Sequence, residues 1–156
     1  MNEHPFELKG PDGLVRRGVF HAPLRPNGTA VVLLPSGFKH RVGSHRFNLL
    51  LARRLAALGH AVLRYDPAGI GESDGTLSVV PPGTLSARLE EGYFADDALL
   101  AAAALRERHG ATCVLLGGLC GGGITAQLAA SRDTQGHVQG VIALGMPALT
   151  IGPPGD

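Results

Sequence analysis

Short apolar runs alternate with longer amphipathic stretches along most of the chain. Residues 29–34 (Thr-Ala-Val-Val-Leu-Leu), 61–65 (Ala-Val-Leu-Arg-Tyr), 112–116 and 137–144 (His-Val-Gln-Gly-Val-Ile-Ala-Leu) are too short for helices. Their apolar content predicts parallel strands in the interior of a sheet. Residues 14–22 predict an earlier strand, paired with residues 5–9 across the Gly10-Pro11-Asp12-Gly13 turn. Phe47, Leu50, Leu51, Leu55 and Leu58 recur at helical spacing, with Ser44 as the expected N-cap and Gly59 as the stop. Residues 90–109 predict a second helix, with Tyr93, Phe94, Ala98, Leu100, Ala101 and Leu105 inward and Gly110 as the stop. Residues 121–131 predict a third. Residues 76–89, with Pro81-Pro82-Gly83, read as an exposed excursion, and the proline-containing stretch from Gly145 to Asp156 shows no element.

The order is strand, strand, strand, helix, strand, helix, strand, helix, strand. Such alternation predicts a three-layer α/β fold, with a mostly parallel sheet and helices on both faces. Ligands of such sheets bind beyond the carboxyl ends of the strands. Residues 35–38, 66–75 and 117–121 are glycine-containing loops at those ends, and they converge on one edge.

With 156 residues the chain is long enough for one domain with its own core, and 44% of its residues are hydrophobic. A net charge of +1, without a basic stripe interleaved with aromatics, argues against a nucleic-acid partner. Lys39-His40-Arg41 and Arg53-Arg54 read as solvated faces. No apolar run is long enough to span a bilayer, and the N-terminal residues lack the basic and apolar regions of a signal peptide. Two cysteines, Cys113 and Cys120, make no disulfide framework, and the seven histidines show no ligand spacing. A reducing cytoplasm is expected, and no metal or cofactor.

The chemistry concentrates at Gly117-Gly118-Leu119-Cys120-Gly121-Gly122-Gly123, between a strand and a helix. This is the layout of a nucleophile elbow, G-x-S-x-G, with sulfur in place of the serine oxygen. A chain that reverses so sharply needs small neighbours, which Gly118 and Gly122 supply. The turn would lift Cys120 clear of the sheet and place it at a helix N-terminus, where unpaired N–H groups favour negative charge. A rival reading takes Gly121-Gly122-Gly123-Ile124-Thr125-Ala126 as the G-x-G-x-x-A of a nucleotide-binding module. That fingerprint belongs immediately after its strand, with an acid at the tip of the next one. Here residues 117–120 intervene, and Val138 to Leu144 carries no acid.

Together these residues resemble the alpha/beta-hydrolase superfamily. Residues 61–75 are similar to its fourth strand and the D-x-x-G-x-G-x-S-x-G loop after it, here Asp66, Gly69, Gly71, Ser73 and Gly75; residues 117–123 are similar to its elbow. Pro35-Ser36-Gly37-Phe38 stands where the family keeps its His-Gly oxyanion loop, with Ser36 in place of the histidine. From Ser36 to Gly75 the chain is most similar to the serine-aminopeptidase-like hydrolases. The resemblance implies an esterase or thioesterase type of hydrolase acting on a small-molecule acyl substrate. Cys120 would be the nucleophile, with the backbone N–H groups of Gly121 and Phe38 facing the oxyanion.

The family's chain order places an acid and a histidine on strands after the elbow. Here one strand follows, with His137 at its amino end, so the fold is expected to be truncated after about the sixth strand. His40 and His45 are the resident histidines nearest the oxyanion loop, and the plainer reading makes both exposed loop residues. The last strand would leave an unpaired apolar edge, which invites a second copy of the chain or a completing polypeptide. The alternative to an active enzyme is therefore a catalytically incomplete fragment that needs a partner chain.

Overall fold

A computed structural model describes residues 2–77 and 82–145. The elements, in chain order, are β1 (Asn2–Lys9), β2 (Val15–Ala22), β3 (Thr29–Leu34), α1 (Phe47–Ala57), β4 (Ala61–Tyr65), α2 (Pro82–Glu90), α3 (Ala95–His109), β5 (Cys113–Leu119), α4 (Gly121–Arg132) and β6 (Gly140–Leu144). The strands form one sheet in the order β1-β2-β4-β3-β5-β6. β1, β2 and β4 pair antiparallel in turn; β4, β3, β5 and β6 pair parallel. The three predicted loops therefore leave the carboxyl ends of three adjacent strands, β4, β3 and β5.

Helices cover both faces, as the alternation predicts. On one face α3 and α4 meet the sheet through Ala95, Ala98, Ala101, Ala102, Ala104, Leu105, Ala126 and Ala129, all buried with Phe20, Val32, Leu34, Leu63, Leu116 and their neighbours. Alanine keeps the helix backbones close to the strands, so a helix of modest apolar contrast still excludes water. On the other face α1 packs Ala52 against Val31, Leu33 and Val62, with Leu51, Leu55 and Leu115 at the margin. Gly59 and Gly110 end α1 and α3 in left-handed conformations, at φ 96° and 63°. This backbone region favours glycine.

Several boundaries differ from the sequence reading: β1 starts at Asn2 rather than residue 5, and β5 runs on to Leu119 rather than ending at residue 116. Residues 82–90 are a helix where an exposed excursion was expected. α3 starts at Ala95 rather than residue 90, because Gly92 turns the chain at φ 78° against the Arg132 guanidinium. Ser44 does not cap α1. It opens a 3-10 turn, Ser44–Arg46, and its hydroxyl accepts a hydrogen bond from Lys39 Nζ at 2.7 Å. β6 begins at Gly140 rather than residue 137, because the preceding loop is committed elsewhere. There the Asp133 carboxylate accepts from Gln135 N and Val138 N, and Gln139 Oε1 accepts from Val114 N. The expectation for the stretch ending at Asp156 falls, beyond Gly145, outside the described residues.

Candidate active site

Cys120 stands between the last residue of β5 and the first of α4, at φ 55° and ψ −120°. A side chain with a Cβ enters this region only under strain. The surroundings impose it. Cys120 N donates to Leu144 O at 2.8 Å, and Cys120 O accepts from Gly123 N at 2.9 Å. The residue is thus tied to β6 on one side and to the first turn of α4 on the other. The thiol is left exposed, and Cys113 is a second free cysteine, half-buried.

The glycines of this turn are steric requirements. A methyl group on Gly118 would overlap the backbone of Gly122. One on Gly122 would lie 2.7 Å from Pro35 O, and one on Gly121 would lie 2.9 Å from Gly37 N. The last two distances show that the elbow packs backbone to backbone on the loop after β3. Phe38 N and Gly121 N therefore belong to two segments in direct contact. Among the described residues neither N–H donates to an acceptor. Thr125 Oγ1, buried one turn into α4, donates to Gly121 O at 3.1 Å and fixes that peptide.

The loop after β3 is anchored by a carboxylate from the loop after β4. Asp66 is fully buried. Its Oδ1 accepts from Arg41 N at 2.6 Å, and its Oδ2 accepts from Glu72 N at 3.2 Å and from the Arg41 guanidinium. Arg41 also reaches Glu72 Oε2 at 2.5 Å. Burial works against the charge on Arg41, but the Asp66 and Glu72 carboxylates outweigh it and hold its pKa above the ordinary value. Gly71 has no room for a side chain, because a Cβ there would overlap the Asp66 carboxylate. Ser73 Oγ donates to Asp66 O at 2.5 Å and accepts from Arg17 N at 2.8 Å. Asp66 and Ser73 thus stabilise the loop after β4, and Asp66 also reaches across to the neighbouring loop.

Arg41 was read from sequence as part of a solvated cluster and is instead paired with a buried acid. Its partner lies 25 residues away, and no spacing rule connects them. Leu89 was also missed, because the stretch that holds it did not read as a helix. Its Cδ1 would lie 3.1 Å from a methyl on Gly37 and 3.1 Å from one on Gly121. His40 is exposed, and its Nδ1 accepts from Val42 N at 3.3 Å; His45 is exposed in the 3-10 turn at φ 50°. Among the described residues no histidine or carboxylate is hydrogen-bonded to the Cys120 thiol. Tyr65 is fully buried with packing neighbours, and among the described residues its hydroxyl has no polar partner.

Solved structures with the same fold are numerous. The chain aligns with DcsB, solved in complex with a substrate analogue, at 22% identity and a TM-score of 0.74, covering 93% of this chain and 46% of DcsB. The Pyrococcus furiosus esterase Pf2001 gives 16% identity and a TM-score of 0.75, covering 94% and 51%. XC6422 from Xanthomonas campestris, an α/β serine hydrolase without a lid, gives 20% and 0.69, covering 97% and 65%. The chain thus spans about half to two thirds of the length of these structures. No curated protein matches it. Residues 26–155 match the family model of the S33 serine aminopeptidases. That match takes in both loops and the elbow, and the chain belongs to this family of α/β hydrolases.

Proposed function

We propose that this chain carries the nucleophile and oxyanion side of a hydrolase for esters, thioesters or related acyl bonds, with Cys120 as the nucleophile. The observation that carries this reading is Cys120 itself: a non-glycine residue at φ 55°, exposed, at the carboxyl edge of a parallel sheet. Strain of this kind persists where the surroundings over-determine it, and it clusters at reactive positions.

In the first step Cys120 Sγ attacks the substrate's carbonyl carbon, and the carbonyl π pair moves onto oxygen. That oxyanion takes hydrogen bonds from Phe38 N and Gly121 N; preorganised donors of this sort are worth about 3–4 kcal/mol each. Collapse re-forms the carbonyl and breaks the bond to the leaving alkoxide or thiolate, which takes up the proton that the thiol lost. Water then attacks the thioester, releasing the acid and restoring the thiol. Sulfur suits a nucleophile to which no base is hydrogen-bonded among the described residues, because a thiol ionises more readily than an alcohol. Acylation by esters with good leaving groups is therefore the step these residues support best.

Treatment with p-nitrophenyl acetate followed by peptide mass spectrometry tests the assignment. One acetyl group is expected on the peptide holding Cys120, and none there in the Cys120→Ala variant. Acetylation of Cys113 with Cys120 unmodified would overturn it.

A second reading concerns association, and the outer edge of β6 favours it. Among the described residues β6 pairs only with β5, and Ile142 and Leu144 are 41% and 39% exposed. We infer that a second copy of the chain covers this edge.

A further inference from the structure

We propose that Leu89, on α2, sets the size of the acyl group that reaches Cys120 and restricts it to short apolar chains. This rests on the assignment of Cys120 as the nucleophile. The Leu89 Cδ1 methyl meets two separate segments at once, the loop after β3 at Gly37 and the elbow at Gly121. Gly37 precedes Phe38 and Gly121 follows Cys120, so Leu89 sits over the junction of the two backbone stretches that present the oxyanion donors.

The helix that holds this methyl is fixed at its end nearest the site. Glu91 N, Gly92 N and Tyr93 N donate back to Ala87 O, Leu89 O and Arg88 O at 2.8–3.0 Å and close the turn. Arg132, at the far end of α4, donates to Glu91 O at 2.6 Å and to Gly92 O at 3.3 Å. The helix that presents Cys120 at its start therefore grips the α2–α3 turn at its end.

Aromatic rings pack beside the loop after β3. Phe38 packs edge-on against Phe94, with ring centroids 5.2 Å apart, and Phe94 packs edge-on against Tyr93 at 5.0 Å. The Arg88 guanidinium lies 5.3 Å from the centre of the Tyr93 ring, so that cation is spent on the aromatic face. Against Gly37 and Gly121 an acyl chain beside Cys120 meets the Leu89 hydrocarbon, a side chain of four carbons that already occupies that space. One methylene in such a pocket changes selectivity by about tenfold or more.

The experiment measures acylation of Cys120 by p-nitrophenyl acetate, butyrate and octanoate in the full chain, from p-nitrophenolate release and intact mass. The quantity read is the ratio of octanoate to acetate rates on the same thiol, which cancels changes in the reactivity of the sulfur. Leu89→Ala is expected to raise that ratio about tenfold and Leu89→Phe to lower it. If Cys120 is acylated but neither variant moves the ratio, the role of Leu89 is wrong and the nucleophile assignment stands. If none of the three esters acylates Cys120 in the wild-type chain, the nucleophile assignment fails and takes this inference with it.

Discussion

At Cys120 a single residue stores the strain, and its glycine neighbours make that strain affordable. Gly122 is the sharpest test, because a methyl there meets two carbonyl oxygens, Pro35 O at 2.7 Å and Leu34 O at 3.0 Å. Neither atom is the end of a flexible side chain, so the backbone must move. Gly122→Ala is expected to cost about 1–3 kcal/mol in urea denaturation and to slow Cys120 acylation by displacing residues 35–38. His21 is a second residue whose behaviour follows from burial, away from the candidate site. It is fully buried, and its Nε2 accepts from Arg64 Nε at 2.8 Å. Burial is the main cause that pulls its pKa down to about 4, with the Arg64 charge next. Glu3, whose Oε1 lies 3.6 Å from Nδ1, opposes both, and Arg53 on α1 adds to the lowering. The unfolded chain therefore binds a proton between pH 6.5 and about 4 that the folded chain refuses. Stability falls as pH drops through that window, by up to about 1.4 kcal/mol per unit. His21→Gln keeps an acceptor for Arg64 and removes the titration. Its denaturation midpoint is expected to vary less between pH 7 and pH 4.5 than the wild-type midpoint; parallel curves would assign the acid sensitivity to other groups.

At the scale of elements, what the sequence showed and what it hid have separate physical causes. β3 and β4 were legible because strands buried on both faces are mostly apolar; Arg64 is the exception in β4, buried against His21. The ends of α1 and α3 were legible because Gly59 and Gly110 adopt a backbone region that other residues avoid. The elbow was legible because close packing of β5 on α4 demands small residues at fixed spacing. α2 was hidden: a Pro-Pro-Gly start and weak apolar contrast read as loop, and its contact with the site through Leu89 is tertiary. The Arg41–Asp66 pair was hidden for the same reason, since it joins two loops that meet only once β3 and β4 are side by side. That pair makes its own prediction. Arg41→Ala leaves the Asp66 carboxylate buried with two backbone donors and no counter-charge, at a cost of roughly 3 kcal/mol. The loop bearing Phe38 then keeps only its backbone bond to Asp66. Acylation is expected to slow even under conditions where circular dichroism shows the chain still folded. Arg41→Lys restores a charge without the second arm to Glu72, and is expected to recover stability more than rate. Equal acylation rates in all three proteins would show that Asp66 holds the loop through the Arg41 backbone N–H alone.

Across the whole molecule the two faces of the sheet are unequally covered. α3 and α4 together bury a continuous cluster on one side, while among the described residues α1 covers the other, mainly over β4, β2 and β3 and with Leu115 of β5 at its margin. Gly117 on β5 faces Val31, Leu33 and Ile142, which places Ile142 on the α1 side, and Leu144 follows two residues later on the same side. Leu50, on the outer flank of α1, is 52% exposed, and a shallow groove beside it is lined by Phe47, Leu51 and Leu119. Exposed leucines and isoleucines scattered singly carry no message. Here they lead to a strand edge that, among the described residues, is paired on one side only, the arrangement that templates pairing with another chain. The net charge of +1 supplies little repulsion to oppose it. The wild-type chain is therefore expected to sediment as a dimer or larger species whose proportion rises with concentration. Ile142→Lys sets a charge at this edge without touching Cys120 or the loop after β3. In a second copy pairing along β6 that charge would recur across the junction, so the variant is expected to sediment as a monomer and still accept an acyl group on Cys120. Identical sedimentation of the two proteins would remove β6 as the contact. Loss of acylation in the monomeric variant would instead show that the thiol works only when a neighbouring copy completes the edge to which Cys120 N is bonded through Leu144 O.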